Sequence, residues 1–306
     1  MKKLINDPKS VVQEAVQGFG LAHAALVTVS EDPIYITRKN APVAGKVGLV
    51  SGGGSGHEPL HAGYVGQGML DAAVPGAVFT SPTPDQILPA TLAVNSGAGV
   101  VHIVKNYTGD VLNFETAAEL LHGDGVKVGF AHIDDDVAVK DSLYTVGRRG
   151  VAGNFFVIKA CGAAAAEGKN LDEILAIAEK VNNNVRTMGV ALTSCIPPAK
   201  GTTIFDLGDD EMEVGVGIHG EPGRRREKIH PANQIVDELF DAVAQDIPYK
   251  SGDRVALMVN GLGGTPISEL YVLYAMRTNA ASRPATRWCA TMSAIIALRS
   301  KWRAPR

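Results

Sequence analysis

The chain has 306 residues, 45% of them hydrophobic and 20% charged, enough for a sizeable buried core and inconsistent with a disordered protein. A net charge of −3 gives no electrostatic reason to expect nucleic acid, and no basic stripe occurs in the first 270 residues. Cys161, Cys195 and Cys289 are odd in number and lack CxxC spacing, so they mark neither a disulfide framework nor a zinc site.

This length suggests about two domains. The opening "MKKLINDPKSVVQEAV" lacks the apolar centre of a signal peptide. No uncharged apolar run reaches the roughly 20 residues of a membrane helix, so a soluble, cytoplasmic protein is expected. In chain order, "KVGLV" (46–50) reads as the first buried strand. The stretch "SGGGSGHEPLH", Ser51 to His61, follows it and admits three readings. Gly52 and Gly54 fit the start of a dinucleotide fingerprint, but His57 stands where its third glycine belongs, and no Walker lysine follows. Glycine N–H groups at a turn opening a helix can still hold an anionic oxygen. His57, Glu58 and His61 spell the HExxH zinc signature, which needs both histidines inside one helix. Pro59 suits the first turn of a helix that is only starting, which places His57 on a loop and disfavours zinc.

"GVVHIVKN" (99–106) is expected as a strand with His102 packed inside it and Lys105 near its end. In "KNYTGD" that follows, Asp110 is either a cleft carboxylate or the N-cap of a helix over 111–122. A strand over "KVGFAHI" (127–133) leads to Asp134-Asp135-Asp136, which could hold Mg²⁺ but reads better as a charged surface turn. "NLDEILAIAEKV" (170–181) has Asn170 as N-cap and Glu173 three residues on, a capping box. Strand-helix alternation argues for a layered α/β fold with a largely parallel sheet. The texture changes near 185, which divides the chain into 1–185 and 186–306. Strands are expected at 188–195, 212–219 and 254–261. From Leu270 onward there is no Asp or Glu, seven Lys or Arg, and both tryptophans, which reads as a basic arm for anionic partners or, better, as a divergent, truncated or out-of-frame end.

In open α/β sheets, ligands bind beyond the carboxyl ends of strands. Five polar or glycine-rich segments stand at such ends: "SGGGSGHE", "KNYTGD", "HIDDD", "GIHGEPG" and "NGLGGTP". They predict a cleft fed by both halves. His57 and His219 differ from the other histidines in adjoining glycines there, where small neighbours leave room for a substrate.

Three long segments carry a resemblance: "GLVSGGGSGHEPLHAGYVGQGMLDAAVPGAVFTSP", "HIVKNYTGDVLNFETAAEL" and "VGVGIHGEPG". They resemble the substrate-binding K subunits of bacterial dihydroxyacetone kinases over about residues 1–275. The resemblance implies a two-domain α/β homodimer with its active site between the domains. It implies that His219 bonds covalently to the ketone's carbonyl carbon as a hemiaminal, and that His57 and Asp110 orient the substrate and move protons. Gly54, Ser55, Gly56 and Lys105 fall on the family's substrate contacts. ADP or ATP with Mg²⁺ is expected on a partner L subunit, recharged by a phosphocarrier M subunit from phosphoenolpyruvate, and no cofactor or metal on this chain. The family also includes dihydroxyacetone-binding co-regulators of transcription, the alternative expectation. Beyond about Ala275 the sequence departs from the family pattern.

Overall fold

The computed structural model describes residues 3–142, 145–247, 253–278, 290–292 and 295–300. Its first half is a six-stranded sheet of β1 (Val27–Glu31), β2 (Ile34–Arg38), β3 (Gly48–Ser55), β4 (Ala72–Val78), β5 (Val100–Lys105) and β6 (Val128–Ile133). The spatial order is β1-β2-β4-β3-β5-β6. The last four strands are parallel, and the β1–β2 hairpin joins β4 antiparallel at one edge. Strands buried on both faces read as largely apolar runs, which is why β3 and β5 are visible in the sequence, while β6, at the sheet edge, buries Ala131 and Ile133 and exposes His132.

The helices of this half are α1 (Val11–Ala22), α2 (Pro84–Val94), α3 (Thr108–Gly123), α4 (Gly153–Ala166) and α5 (Leu171–Asn182). Side chains alternate along β5: Val101 and Ile103 pack with α1, α4 and α5, whereas Val100 and Val104 pack with α2 and α3. The result is a helix-sheet-helix sandwich. Asn170 caps α5 as expected: its side chain accepts from Glu173 N at 3.0 Å, and the Glu173 carboxylate accepts from Asn170 N at 3.0 Å.

The second half is assembled from smaller sheets. β7 (Val185–Met188), β8 (Val190–Ala191), β9 (Glu211–Val214), β10 (Arg225–Lys228), β11 (Arg254–Val259), β12 (Ala290–Met292) and β13 (Ile295–Ser300) form the arrays β10-β9-β8 and β12-β11-β13-β7. Helices α6 (Ala232–Asp246) and α7 (Ile267–Thr278) pack with β9 and β11 in a core of Met212, Val214, Ile235, Leu239 and Leu257. Most of the divergent closing stretch lies outside the described residues. Its described parts, β12 and β13, pair with β11, and β13 also with β7.

The two halves are tied by buried charge. Arg149 is fully buried and donates from Nε to Asp136 Oδ2 at 2.7 Å and from Nη2 to the Gly215 carbonyl at 2.7 Å. Arg148 pairs with Asp246 at 2.5 Å, and Arg186 bonds the same carboxylate. The hydrogen bonds from Arg148 hold the Asp246 carboxyl down to about 2.

Several sequence expectations are corrected. Gly52 to Gly54 are not a loop; they extend β3 and are buried. A Cβ on Gly54 would lie 2.5 Å from Thr80 N, and one on Gly52 2.7 Å from the Val74 carbonyl, so glycine is needed for close strand packing. No α-helix starts at Pro59: residues 56–61 form a turn, followed by one 3₁₀ turn at Ala62–Tyr64. The 188–195 run divides into β7 and β8, and the 212–219 run is a strand only to Val214. The three aspartates are not a surface turn either, since Asp135 and Asp136 are buried. Asp135 accepts from Val151 N at 2.8 Å and Gly153 N at 2.9 Å, so it holds the start of α4.

Candidate functional site

Parallel strands align their carboxyl ends, and the chain leaves β3, β4 and β5 along one edge. His57 follows β3, Phe79 to Ser81 follow β4, and Lys105 to Asp110 follow β5. From the second half, the glycine-rich turn after β9 brings His219 to this edge. The two histidines singled out in the sequence meet there, with His57 Nε2 3.0 Å from His219 Nε2. Phe79 and Tyr107 wall them in: ring centroids lie 5.0 Å apart for His57–Phe79 and 4.7 Å apart for Tyr107–His219.

Glu221 fixes the chemical state of His219. Its carboxylate, almost fully buried, lies 3.0 Å from His219 Nδ1 and accepts from His219 N at 2.9 Å. A carboxylate accepts, so Nδ1 carries the proton and Nε2 presents its lone pair toward the cleft. Burial alone raises the Glu221 carboxyl, yet the hydrogen bonds from His219 bring it below its ordinary value. Burial, reinforced by the charge of Lys105, pushes His57 far below the usual imidazole range and keeps it neutral.

Asp110 is not the N-cap of its helix. Helix α3 starts at Thr108 after Tyr107, and Asp110 lies inside its first turn, 4% exposed and hydrogen-bonded by the Ser81 hydroxyl. Burial raises its carboxyl, against the pull of Lys105. Lys105 is fully buried with no hydrogen-bond partner for Nζ, which lies 5.9 Å from the Tyr107 ring centroid. Burial lowers its pKa, opposed by Asp110, Asp135 and Glu221. Ser55 donates to the Gly76 carbonyl at 2.7 Å, and Gly56 takes a positive φ of 98°, the conformation that turns the chain toward His57.

The site therefore joins His57, Lys105, Asp110 and His219 on one edge, with Gly54 to Gly56 as its floor. Sequence reasoning missed Glu221, Phe79, Tyr107 and Ser81; for Glu221 the signal was there, an acid two residues past a histidine in a glycine-rich turn. The two histidines of the zinc spelling part company, because the helix that would align them does not form: His57 faces His219, while His61 bonds Ser51 in the interior. His102 is core, bonded to Thr91 at 2.9 Å between Phe114 and Phe130. Among the described residues no group of three metal-binding side chains forms, and no helix is long and apolar enough to cross a membrane.

A cavity of about 220 Å³ opens beside the histidine pair, lined by Gly56, His57, Phe79, Gly217 and Ile218, a size for a small molecule. A larger one of about 1160 Å³ runs between α1 and the 187–198 segment. Neither is lined by His219, Lys105 or Asp110, and of the two only the smaller is lined by His57.

Residues 17–293 match the Dak1 domain family. The chain is 52% identical over 298 residues to the dihydroxyacetone-binding subunit DhaK of the PEP-dependent dihydroxyacetone kinase of Escherichia coli (strain K12), spanning 90% of this chain and 83% of that protein. It is 54% identical over 272 residues to the dihydroxyacetone-binding subunit DhaK of PTS-dependent dihydroxyacetone kinase 1 of Listeria innocua, spanning 89% and 82%. Among solved structures, the native dihydroxyacetone kinase of C. freundii superposes with a TM-score of 0.87 at 33% identity, covering 98% of this chain and 57% of the other. The dihydroxyacetone kinase operon co-activator Dha-DhaQ superposes at 0.86 with 34% identity, covering 94% and 92%. The fold is thus that of the dihydroxyacetone kinase K subunits, and with matches extending over nine-tenths of its length the chain belongs to the Dak1 domain family.

Proposed function

We propose that the chain is the dihydroxyacetone-binding subunit of a phosphoenolpyruvate-dependent dihydroxyacetone kinase. It captures the ketone on His219 and presents a hydroxyl to a nucleotide-carrying partner. The observation that carries this reading is the meeting of His57 Nε2 and His219 Nε2 at 3.0 Å, with the other nitrogen of His219 held by Glu221.

The His219 Nε2 lone pair attacks the carbonyl carbon, and the C=O π pair moves to oxygen. In net terms an imidazole N–H adds across the carbonyl. A C–N bond forms and the Nδ1 proton passes to Glu221, while the oxygen takes the Nε2 proton of neutral His57; solvent then returns a proton to His57 Nδ1 and takes one from Glu221, so no proton is gained or lost overall. Glycerol has the hydroxyls but no carbonyl, so the covalent step selects the ketone. Asp110, its carboxyl raised by burial, is placed to take the proton from the hydroxyl that attacks phosphorus. Lys105 and the backbone of Gly54 to Gly56 bind the substrate oxygens. Phosphoryl transfer depends mainly on positioning and charge stabilisation; this chain supplies the positioning, and ADP or ATP with Mg²⁺ on an L subunit supplies the rest. The M subunit recharges the nucleotide, and the K-type chain works as a homodimer.

The test is carbon-13 NMR of carbonyl-labelled dihydroxyacetone with the purified chain. The carbonyl signal is expected to convert to that of a tetrahedral carbon, and His219→Ala is expected to abolish the conversion. Retention of the tetrahedral signal in that variant overturns the assignment. The likeness to the Dha-DhaQ co-activator supports a second reading, a ketone-binding co-regulator of transcription. Turnover on adding L and M subunits with phosphoenolpyruvate separates the two, and turnover by the chain alone with ATP contradicts the division of labour.

A further inference from the structure

Two fully buried polar atoms of opposite hydrogen-bonding character are left without partners near one point. Lys105 Nζ is a donor and His61 Nε2 is a ring nitrogen; neither makes a hydrogen bond. Both face the bare side of Gly53, where an added Cβ would lie 2.8 Å from His61 Nε2 and 3.4 Å from Lys105 Nζ. Burying such groups unpaired is costly, so two of them left beside one glycine call for an explanation.

The tautomer of His61 follows from its other nitrogen. Ser51 Oγ donates to the Ile103 carbonyl at 2.6 Å, which uses its only proton. It therefore accepts from His61 Nδ1, 2.9 Å away, and Nε2 is left as a bare lone pair aimed over Gly53. Burial, with the charge of Lys105, holds His61 well below the usual imidazole range, so that lone pair stays available. Among the groups around Lys105, the carboxylates of Asp110, Asp135 and Glu221 act through their charge but make no hydrogen bond to Nζ.

We propose that His61 is a positioning residue for Lys105: a small rotation of the lysine end brings Nζ, unbonded in the structure, to the neutral Nε2 that Ser51 orients over Gly53, and leaves the remaining donors aimed at the substrate. An imidazole suits this task where a carboxylate would not. It anchors the ammonium without neutralising the charge that the ketone's oxygens are to meet. The glycine at 53 is part of the device, since any side chain there would separate the two nitrogens. This rests on the reading that Lys105 contacts dihydroxyacetone.

The test is a double-mutant cycle on dihydroxyacetone affinity, measured by titration calorimetry with His61→Leu, Lys105→Met and the double variant. Lys105→Met and His61→Leu are each expected to weaken binding about tenfold or more. The double variant is expected to bind no more weakly than Lys105→Met alone, because His61 acts only through Lys105. His61→Gln, whose amide oxygen keeps an acceptor, is expected to recover most of the loss, which a merely space-filling role does not predict. Should His61→Leu not fold, Ser51→Ala reads the same coupling by freeing the tautomer. Additive losses in the cycle, or His61→Gln as weak as His61→Leu, overturn the proposal. If Lys105→Met binds like wild type, it is the substrate role of Lys105 that fails, a result distinguishable from failure of the coupling.

Discussion

Glu221→Gln probes the nucleophile without touching the substrate. In the structure the carboxylate of Glu221, 3% exposed, accepts from both His219 Nδ1 and His219 N, at 3.0 and 2.9 Å. A glutamine fills the same volume but offers one acceptor oxygen and one NH₂ group. If its oxygen keeps the backbone N–H, its NH₂ faces Nδ1 and drives the proton to Nε2, the wrong tautomer for attack. If its oxygen keeps Nδ1, the buried backbone donor is lost. A hydrogen bond to a charged group contributes about 1.5–3 kcal/mol, so affinity for dihydroxyacetone should fall about 10- to 150-fold. The assay is calorimetric titration with the ketone, paired with a thermal melt to establish folding. A folded Glu221→Gln protein that binds dihydroxyacetone as tightly as wild type refutes the tautomer argument.

Gly217→Ala should reproduce that phenotype without altering any polar group. The new Cβ would lie 2.0 Å from Glu221 Oε2 and 2.7 Å from Arg149 Nη1, so the carboxylate must move; unchanged ketone affinity in titration would contradict this. Asp136→Ala leaves the fully buried Arg149 without its carboxylate and should cost about 3–5 kcal/mol in urea unfolding, whereas a loss below about 1 kcal/mol would show that the arginine finds other partners. His102 carries an acid-linked penalty. Burial lowers its pKa to about 3, so the folded chain binds fewer protons than the unfolded chain below the ordinary imidazole value of 6.5, and stability falls with falling pH in that window. Relative to His102→Asn, wild type should lose about 2 kcal/mol between about pH 7.5 and pH 5. A gap that does not change with pH would show that His102 protonates freely. Asp110, Asp135 and Asp136, whose carboxyls burial raises, act in the opposite sense, Asp136 from about 6 downward, which is why the comparison is made against the variant.

Much of the first half was legible because its signals are local. Parallel strands buried on both faces read as largely apolar runs, and the first residues of β3 and β5 show this. The capping box at Asn170 and Glu173 is a four-residue device, and it appears as read. Pro59 misled because a proline that suits a helix start also suits a turn, and the choice between them depends on what Glu58 and His61 bond. Glu58 accepts from Gly56 N, and the His61 ring donates from Nδ1 to Ser51 Oγ on β3, so no helix forms. The three aspartates misled for a related reason. Charge in sequence says surface, but Asp135 and Asp136 are satisfied by the start of α4 and by Arg149.

By itself, the sequence determined that this is a layered α/β chain whose glycine-rich strand ends carry His57, Asp110 and His219. Hydrophobic period and turn chemistry act over a few residues and so are written in neighbours. Only the tertiary structure decided that His57 and His219, 162 positions apart, meet at 3.0 Å, that Glu221 holds Nδ1 of His219 and leaves Nε2 to the cleft, and that Lys105 and His61 both lie beside Gly53. Tautomer and charge state depend on which groups share a buried space, and burial is a property of the packed molecule rather than of any segment.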